Sequence, residues 1–387
     1  MICFDRDPES ARLWRHFDAE RSVLMLAPRR IGKTVLLNRL KGEAAKQGYN
    51  AVLLDVEGFR DERAFFRQLC AALQEELGFG QSLVSALTDR LRRTLGGTET
   101  FTDWRQILMN TEWKGFADHL MAQLEDDRSG LPWLLLVDEV PIFVGALLES
   151  SGPAAAHDFL YTLRNLRQKH PRVRWLFTGS IGLDAVARRH GLEGALADME
   201  VFPLGPFDEA TSLAFLDRLA ARNRCKLEPA AARTILRRLG WYSPYYLEKL
   251  IDLACDEVGA GGSVTPASAD RAAEHMLALE RRAYWATWRE HLDRNFPEPE
   301  RSDLFTVLDA IALAPDGLRI DALLPALNHG GRVVDRSALG RLLDTLVADG
   351  YLDVATDGTT ARFRMTLLRD WWRRYVAPRP EPEAQDA

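Results

Sequence analysis

Four short runs rich in leucine and valine stand out in the first 180 residues: Ser22–Leu26, Ala51–Val56, Leu131–Val137 and Val173–Phe177. Each is too continuous for a half-buried strand and too short for a buried helix, so each predicts a strand buried on both faces of a parallel sheet. Helical spacing fills the intervals, over Val35–Leu40, Glu62–Leu77, Gln81–Leu95 and Trp113–Leu124, with a flexible break expected at Gly96-Gly97-Thr98-Glu99-Thr100. Strands alternating with helices predict an α/β domain with crossover helices over residues 1–205. From Phe207 to about Arg282 the spacing is helical throughout, Asp208 capping one helix and the loop Gly259–Ser263 preceding the last. This defines a helical domain over 206–298. Residues 299–376 read as helices at Leu304–Leu313, Arg319–Leu327 and from the cap Asp335 to about Asp349. Strands follow at Tyr351–Val354 and Ala361–Met365 around the turn Asp357-Gly358, then a terminal helix, Thr366–Tyr375. Three helices and a hairpin in that order predict a winged helix. The Pro- and Glu-rich tail 377–387 predicts disorder.

Candidate chemistry sits at the strand ends. The first strand runs into Pro28-Arg29-Arg30-Ile31-Gly32-Lys33-Thr34-Val35 and then a helix, the form of a phosphate-binding loop. Unpaired N–H groups of the loop and first helical turn would surround phosphate. Lys33 would reach the β/γ oxygens and the Thr34 hydroxyl would ligate Mg²⁺. Ala27 occupies the position where the motif usually begins with glycine. The third run ends in Asp138-Glu139, placed where ligands bind in open α/β sheets. Asp138 would hold the Mg²⁺ shell, and Glu139 would orient and deprotonate the attacking water. The run 173–177 leads into Thr178-Gly179-Ser180, where Ser180 is a candidate γ-phosphate contact; Asp55 and Glu57 end the remaining strand as caps or supporting groups. Arg164, Arg167, Arg188 and Arg189 are arginine-finger candidates, set against the simpler reading of solvated helix faces. Eight dispersed histidines show no metal-ligand spacing, and Arg189-His190-Gly191 and Asn328-His329-Gly330 read as loops.

On Pro28-Arg29-Arg30 with Gly32-Lys33-Thr34, on Val137-Asp138-Glu139 and on Thr178-Gly179-Ser180, the chain resembles the STAND/archaeal-type branch of P-loop ATPases, related to AAA+ and origin-initiator ATPases. Further likeness lies in Phe4-Asp5-Arg6-Asp7-Pro8-Glu9, similar to a box that borders the adenine, with Asp5 where glycine is usual. Pro203–Ala210 looks like the entry to the family's helical lid, and Gly240–Leu247 like its Gly-x-Pro lid motif, which would put Pro244 near the base. The resemblance covers most of residues 1–255. It implies an ATP- and Mg²⁺-dependent switch built from an α/β core, a lid over 206–298 and a winged-helix output, with a nucleotide-dependent homo-oligomer among its assemblies. The alternative is a nucleotide-gated DNA-binding regulator with little turnover. A small-molecule kinase on the same fold is disfavoured, because an Asp-Glu pair suits water activation.

Bulk properties narrow the partners. A length of 387 residues with 47% hydrophobic content is ample for two or three cored domains. A net charge of −6 argues against general coating of nucleic acid, and residues 299–376 hold ten arginines, eleven acids and no lysine. Arg336, Arg341, Arg362 and Arg364 are the candidate contacts to duplex DNA or a protein partner, the two remaining open. Trp371 and Trp372 are divided between recognition surface and core. Four scattered cysteines without metal spacing, no basic leader and no apolar stretch of about 18 residues lead to the expectation of a cytoplasmic protein with no membrane contact.

Overall fold

Leucine-rich runs flanked by amphipathic helices satisfy their backbone hydrogen bonds only by pairing with one another, and the computed structural model shows that pairing. It describes residues 4, 6–77, 104–126, 129–180, 183–328 and 333–378; the expected helix 81–95, the break after it, His329 and most of the tail lie outside them. The chain divides into two units, the first of residues 1–27 and 32–204, the second of 28–31 and 205–387.

In the first unit five strands form one sheet: β1 (Val23–Ala27), β2 (Asn50–Asp55), β3 (Trp133–Asp138), β4 (Val173–Ser180) and β5 (Glu200–Pro203). All pairings are parallel, in the order β2-β3-β4-β1-β5. Every residue of β3 is buried, as its unbroken Leu/Val run requires. The sequence showed no sign of β5. It is a four-residue edge strand with one buried position, Phe202, too short and exposed to register as an apolar run. β4 lies between β1 and β3: it ends level with β1, Ala27 pairing with Ser180, and Val137 beside Phe177 brings the end of β3 next to Thr178.

Helices cover the sheet. α1 (Asp7–Asp18) starts with Pro8 in its first turn and buries Leu13, Trp14 and Phe17. α2 (Lys33–Glu43) follows β1, and α3 (Glu62–Leu77), α4 (Trp104–Asn110) and α5 (Trp113–Glu125) fill the stretch between β2 and β3. α6 (Val140–Lys169) is interrupted at Gly152, where φ 85° and ψ 174° leave the helical region ahead of Pro153. α7 (Leu183–His190) corrects the loop expected at Arg189 and His190, which close its last turn.

The second unit opens with α8 (Glu209–Arg222), whose cap Asp208 accepts from the Thr211 N–H at 2.7 Å. α9 (Pro229–Leu239), α10 (Pro244–Val258), α11 (Pro266–Met276) and α12 (Ala283–Asn295) follow. The stretch is not wholly helical: β6 (Lys226–Leu227) and β7 (Ser263–Val264) make a two-residue parallel pair. Beyond them come α13 (Glu300–Ala312), α14 (Leu323–Leu327) and α15 (Arg336–Ala348), the last capped by Asp335 on the Ala338 N–H at 2.7 Å. The helix expected from Arg319 is shorter than its pattern, since β8 (Leu318–Arg319) joins β9 (Leu352–Val354) and β10 (Thr360–Phe363) in an antiparallel sheet of order β8-β10-β9. α16 (Thr366–Tyr375) buries both Trp371 and Trp372, so neither forms a recognition surface. Ala377 packs behind it, buried and bonded to the Trp372 carbonyl at 2.9 Å, so order extends past the expected start of the tail. Cys70, Cys225 and Cys255 are buried. Among the described residues no helix is long and apolar enough to cross a membrane.

Gly179 fixes how closely β4 meets the start of α6. A Cβ there would lie 2.1 Å from Cδ and 2.3 Å from Cγ of Pro141, a ring that cannot swing aside. Gly179→Ala is expected to lower unfolding free energy by about 1–3 kcal/mol, measured by urea denaturation; unchanged stability would show that the strand and helix can separate freely.

Candidate nucleotide-binding site

Strand order, not proximity in sequence, assembles the candidate site of the first unit. The Asp138 carboxylate, buried at the end of β3, accepts three hydrogen bonds. Thr34 Oγ1 donates to Oδ2 at 2.8 Å from the first turn of α2, 104 residues away in sequence. Thr178 Oγ1 donates to Oδ1 from β4, and the Glu139 N–H donates to the same oxygen at 3.0 Å. Lys33 is buried, its Nζ donating to the Ala27 carbonyl at 3.1 Å, whereas Thr34 is exposed and Val35 half-buried. Gly32, the cap residue of α2, has φ 94°, a conformation in which an L side chain would be strained.

Glu139 also has left-handed backbone, φ 59°, at the cap position of α6, and Arg30 has φ 66°. Two of the four non-glycine residues with positive φ among those described therefore fall at candidate site positions, where local strain tends to concentrate. Oxygen donors from a carboxylate and a hydroxyl at hydrogen-bond distance are the set that Mg²⁺ prefers, so Asp138 and Thr34 fit that ion.

In the second unit the loop residues Pro28–Ile31 pack with the helices and strands of 205–387. Arg29 Nη2 lies 2.9 Å from His291 Nδ1, and His291 Nε2 lies 2.9 Å from Asp349 Oδ2. Arginine only donates, so Nδ1 is the acceptor and Nε2 carries the proton given to Asp349. The Asn295 amide at 2.9 Å from Nδ1 agrees with that tautomer. His291 and Asp349 are each 4% exposed. Next to Asp349, Gly350 has φ 83°, and a Cβ there would sit 2.9 Å from Pro28 Cβ. The Ser243 hydroxyl donates to the Arg30 carbonyl at 2.7 Å, and the Arg30 guanidinium lies 4.3 Å from the centre of the Tyr245 ring. Pro244, half-buried at the start of α10, stands between those two residues.

Other candidates separate. The Ser180 side chain lies outside the described residues; Thr178, two positions earlier, is the hydroxyl that meets Asp138. Asp55 accepts from the Glu57 N–H at 3.0 Å and closes its own turn. Arg167 forms a two-pronged pair with Asp198 at 2.8 Å, and Arg164 donates to the Gly194 carbonyl at 2.7 Å, so both are tied into the fold. Arg336, Arg341 and Arg362 are exposed, while Arg364 is largely covered. Sequence reasoning named Thr178 and Ser243 only as members of their motifs, and it missed His291 and Asp349. Only His291 left a trace, as a polar residue within the apolar stripe of Trp285, Trp288 and Leu292 on α12.

Residues 12–169 match the family profile of an AAA-like domain. No curated protein sequence is significantly similar to the chain. Among solved structures the chain is similar to a Walker-type ATPase of Pyrococcus abyssi, with TM-score 0.66 and 18% identity over 96% of each chain. It is also similar to the ORC2 protein of Aeropyrum pernix, in its ADPNP–ADP complexes, with TM-score 0.57 and 15% identity over 96% of this chain and 93% of that one. The chain thus shares the fold of P-loop ATPases.

Replacing Thr178 by valine keeps the shape of β4 and removes one donor from a buried carboxylate. A loss of about 1–3 kcal/mol is expected in urea unfolding of Thr178→Val. Parent-like stability would mean that the hydroxyl contributes nothing to holding Asp138.

Proposed function

We propose that the protein binds and hydrolyses Mg-ATP at residues 28–35 and passes its nucleotide state to a macromolecular partner. The observation that carries the reading is the placement of Thr34, Thr178 and Asp138 in one hydrogen-bonded group beside the buried Lys33. In this reading the N–H groups of the loop and of the first turn of α2 wrap the phosphates, and Lys33 exchanges its carbonyl partner for the β/γ oxygens. Thr34 and Asp138 hold Mg²⁺, which when bound neutralises phosphate charge. Glu139, held at the turn between β3 and α6, orients water and takes its proton.

The switch part of the proposal rests on the loop arginines. Phosphate competes with His291 for Arg29, because a charge-assisted bond to a phosphate oxygen is stronger than one to a neutral imidazole. Arg29, His291 and Asp349 would then carry nucleotide state toward the part of the second unit that we assign as a winged helix, 299–376, and Ser243 and Pro244 would do so for a lid over 206–298. Pro244 is proposed to line the adenine side. Exposed Arg336, Arg341 and Arg362 support a second reading, contact with duplex DNA by a slow or inactive ATPase; phosphate release with and without duplex separates the two. A cytoplasmic location belongs to the same proposal.

Lys33→Ala is expected to abolish ATP binding in calorimetric titration, and Glu139→Gln to bind ATP but release phosphate at least about a hundredfold more slowly, within the range typical of a lost general base. Unchanged ATP affinity in the first, or parent turnover in the second, would remove the residue from its assigned role. His291→Ala should leave ATP affinity within about threefold, less than 1 kcal/mol, while erasing the difference in tryptic cleavage between ATP-bound and free protein. A nucleotide-dependent pattern that survives would take Arg29 and His291 out of the switch.

A further inference from the structure

A second concentration of arginine in the second unit is not accounted for by the proposed ATP site. Trp241, Arg362, Arg364, Thr366 and Arg369 line a cleft of about 600 Å³ that reaches Gly240 at the end of α9 and Pro315 beyond α13. That volume lies in the range of small-molecule sites, about 300–1,000 Å³.

Arg364 is the informative residue. Its side chain is 21% exposed, and burial pulls its pKa below the usual arginine value, with only Asp353 opposing the shift. The nearest carboxylate oxygen, Oδ1 of Asp353, is 3.8 Å from Nη2, beyond hydrogen-bond reach. The same carboxylate faces Arg362, whose Nη2 is 3.7 Å from Oδ2. One acid therefore stands between two guanidiniums at ion-pair distance, and among the described residues none hydrogen-bonds the Arg364 guanidinium, whose other neighbour is the Trp241 ring, 5.9 Å away at its centre. Covering a cation this poorly paired is costly unless another anion completes it. Arg369 is different: Asp370 Oδ1 at 2.8 Å and the Pro315 carbonyl at 2.7 Å fix it as a wall of the cleft.

The start of α16 adds to the positive field. Its cap position is Met365, which supplies no side-chain acceptor, so the first N–H groups of this ten-residue helix lack that partner. Gly240 permits the close approach: with φ 78°, a Cβ there would lie 2.7 Å from Thr366 Oγ1 and 3.3 Å from the Thr366 nitrogen.

We propose that this cleft is a second ligand site, taking a small phosphate-bearing anion gripped by Arg364 and Arg362 over the start of α16. Two planar forks and a helix start match a group with several oxygens on one centre. Asp316 and Asp353 on the same walls repel a continuous polyanion, so the cleft suits a compact phosphate ester or diphosphate rather than a nucleic-acid strand.

Calorimetric titration of the full chain with inorganic pyrophosphate tests the site. Lys33→Ala, which disables the loop site, should retain one pyrophosphate-binding event. In that background Arg364→Gln should weaken the event by about tenfold or more, the loss of a hydrogen bond to a charged group. The surface variant Arg362→Gln should weaken it in the same direction, and Arg336→Gln, on α15, should not change it. Thermal melting checks that each variant folds. Absence of pyrophosphate binding in Lys33→Ala would overturn the proposal, as would unchanged affinity in folded Arg364→Gln and Arg362→Gln. It would equally be overturned if a short DNA duplex bound through Arg364 while pyrophosphate did not. If the parent binds a single pyrophosphate that Arg364→Gln removes and Lys33→Ala leaves intact, the cleft stands and the loop site fails.

Discussion

A buried carboxylate is expensive unless donors surround it, and Asp138 meets that requirement with three donors from three different parts of the first unit. The hydroxyl of Thr34 needs α2 to begin directly after the loop. The hydroxyl of Thr178 needs β4 between β1 and β3, and the Glu139 N–H needs a left-handed turn at the head of α6. Satisfying one side chain therefore constrains strand order, loop geometry and helix start together. The arrangement is also chemically suitable: its two hydroxyl donors can turn an oxygen toward a cation or a proton toward a phosphate.

Local strain is concentrated around the same positions. Gly32 relieves it by having no Cβ, but Arg30 and Glu139 adopt positive φ with full side chains. Arg30 is held there by contacts within the second unit, the Ser243 hydroxyl on its carbonyl and the Tyr245 ring beneath its guanidinium. Arg29 is held by His291, which Asp349 orients through its other nitrogen. A loop whose arginines are held in one arrangement by a histidine, a serine hydroxyl and an aromatic ring is open to competition from phosphate, and that competition is the physical basis of the proposed switch.

Two kinds of arginine in the second unit illustrate how burial separates roles. Arg369 spends its donors on Asp370 and a backbone carbonyl and is part of the scaffold. Arg364 is covered to a similar extent but shares one distant acid with Arg362. The sequence treats these residues alike; only their partners distinguish a wall from a candidate ligand group.

What the sequence determined by itself was whatever depends on near neighbours. Strands buried on both faces announce themselves as leucine and valine runs, as at β3, and Asp208 and Asp335 cap helices three residues before the N–H they accept. The loop Gly32-Lys33-Thr34 was legible for the same reason, since strand, turn and helix start are consecutive. β5 was not, because an edge strand with one buried residue lacks a pattern. That Thr178 meets Asp138 was decided by tertiary structure, through the register that sets β4 beside β3. His291 and Asp349 were decided the same way: they lie 58 residues apart, and His291 is 262 from Arg29. No local periodicity encodes a hydrogen bond across such separations, because the pairing exists only once the packed helices bring its partners within 3 Å of each other.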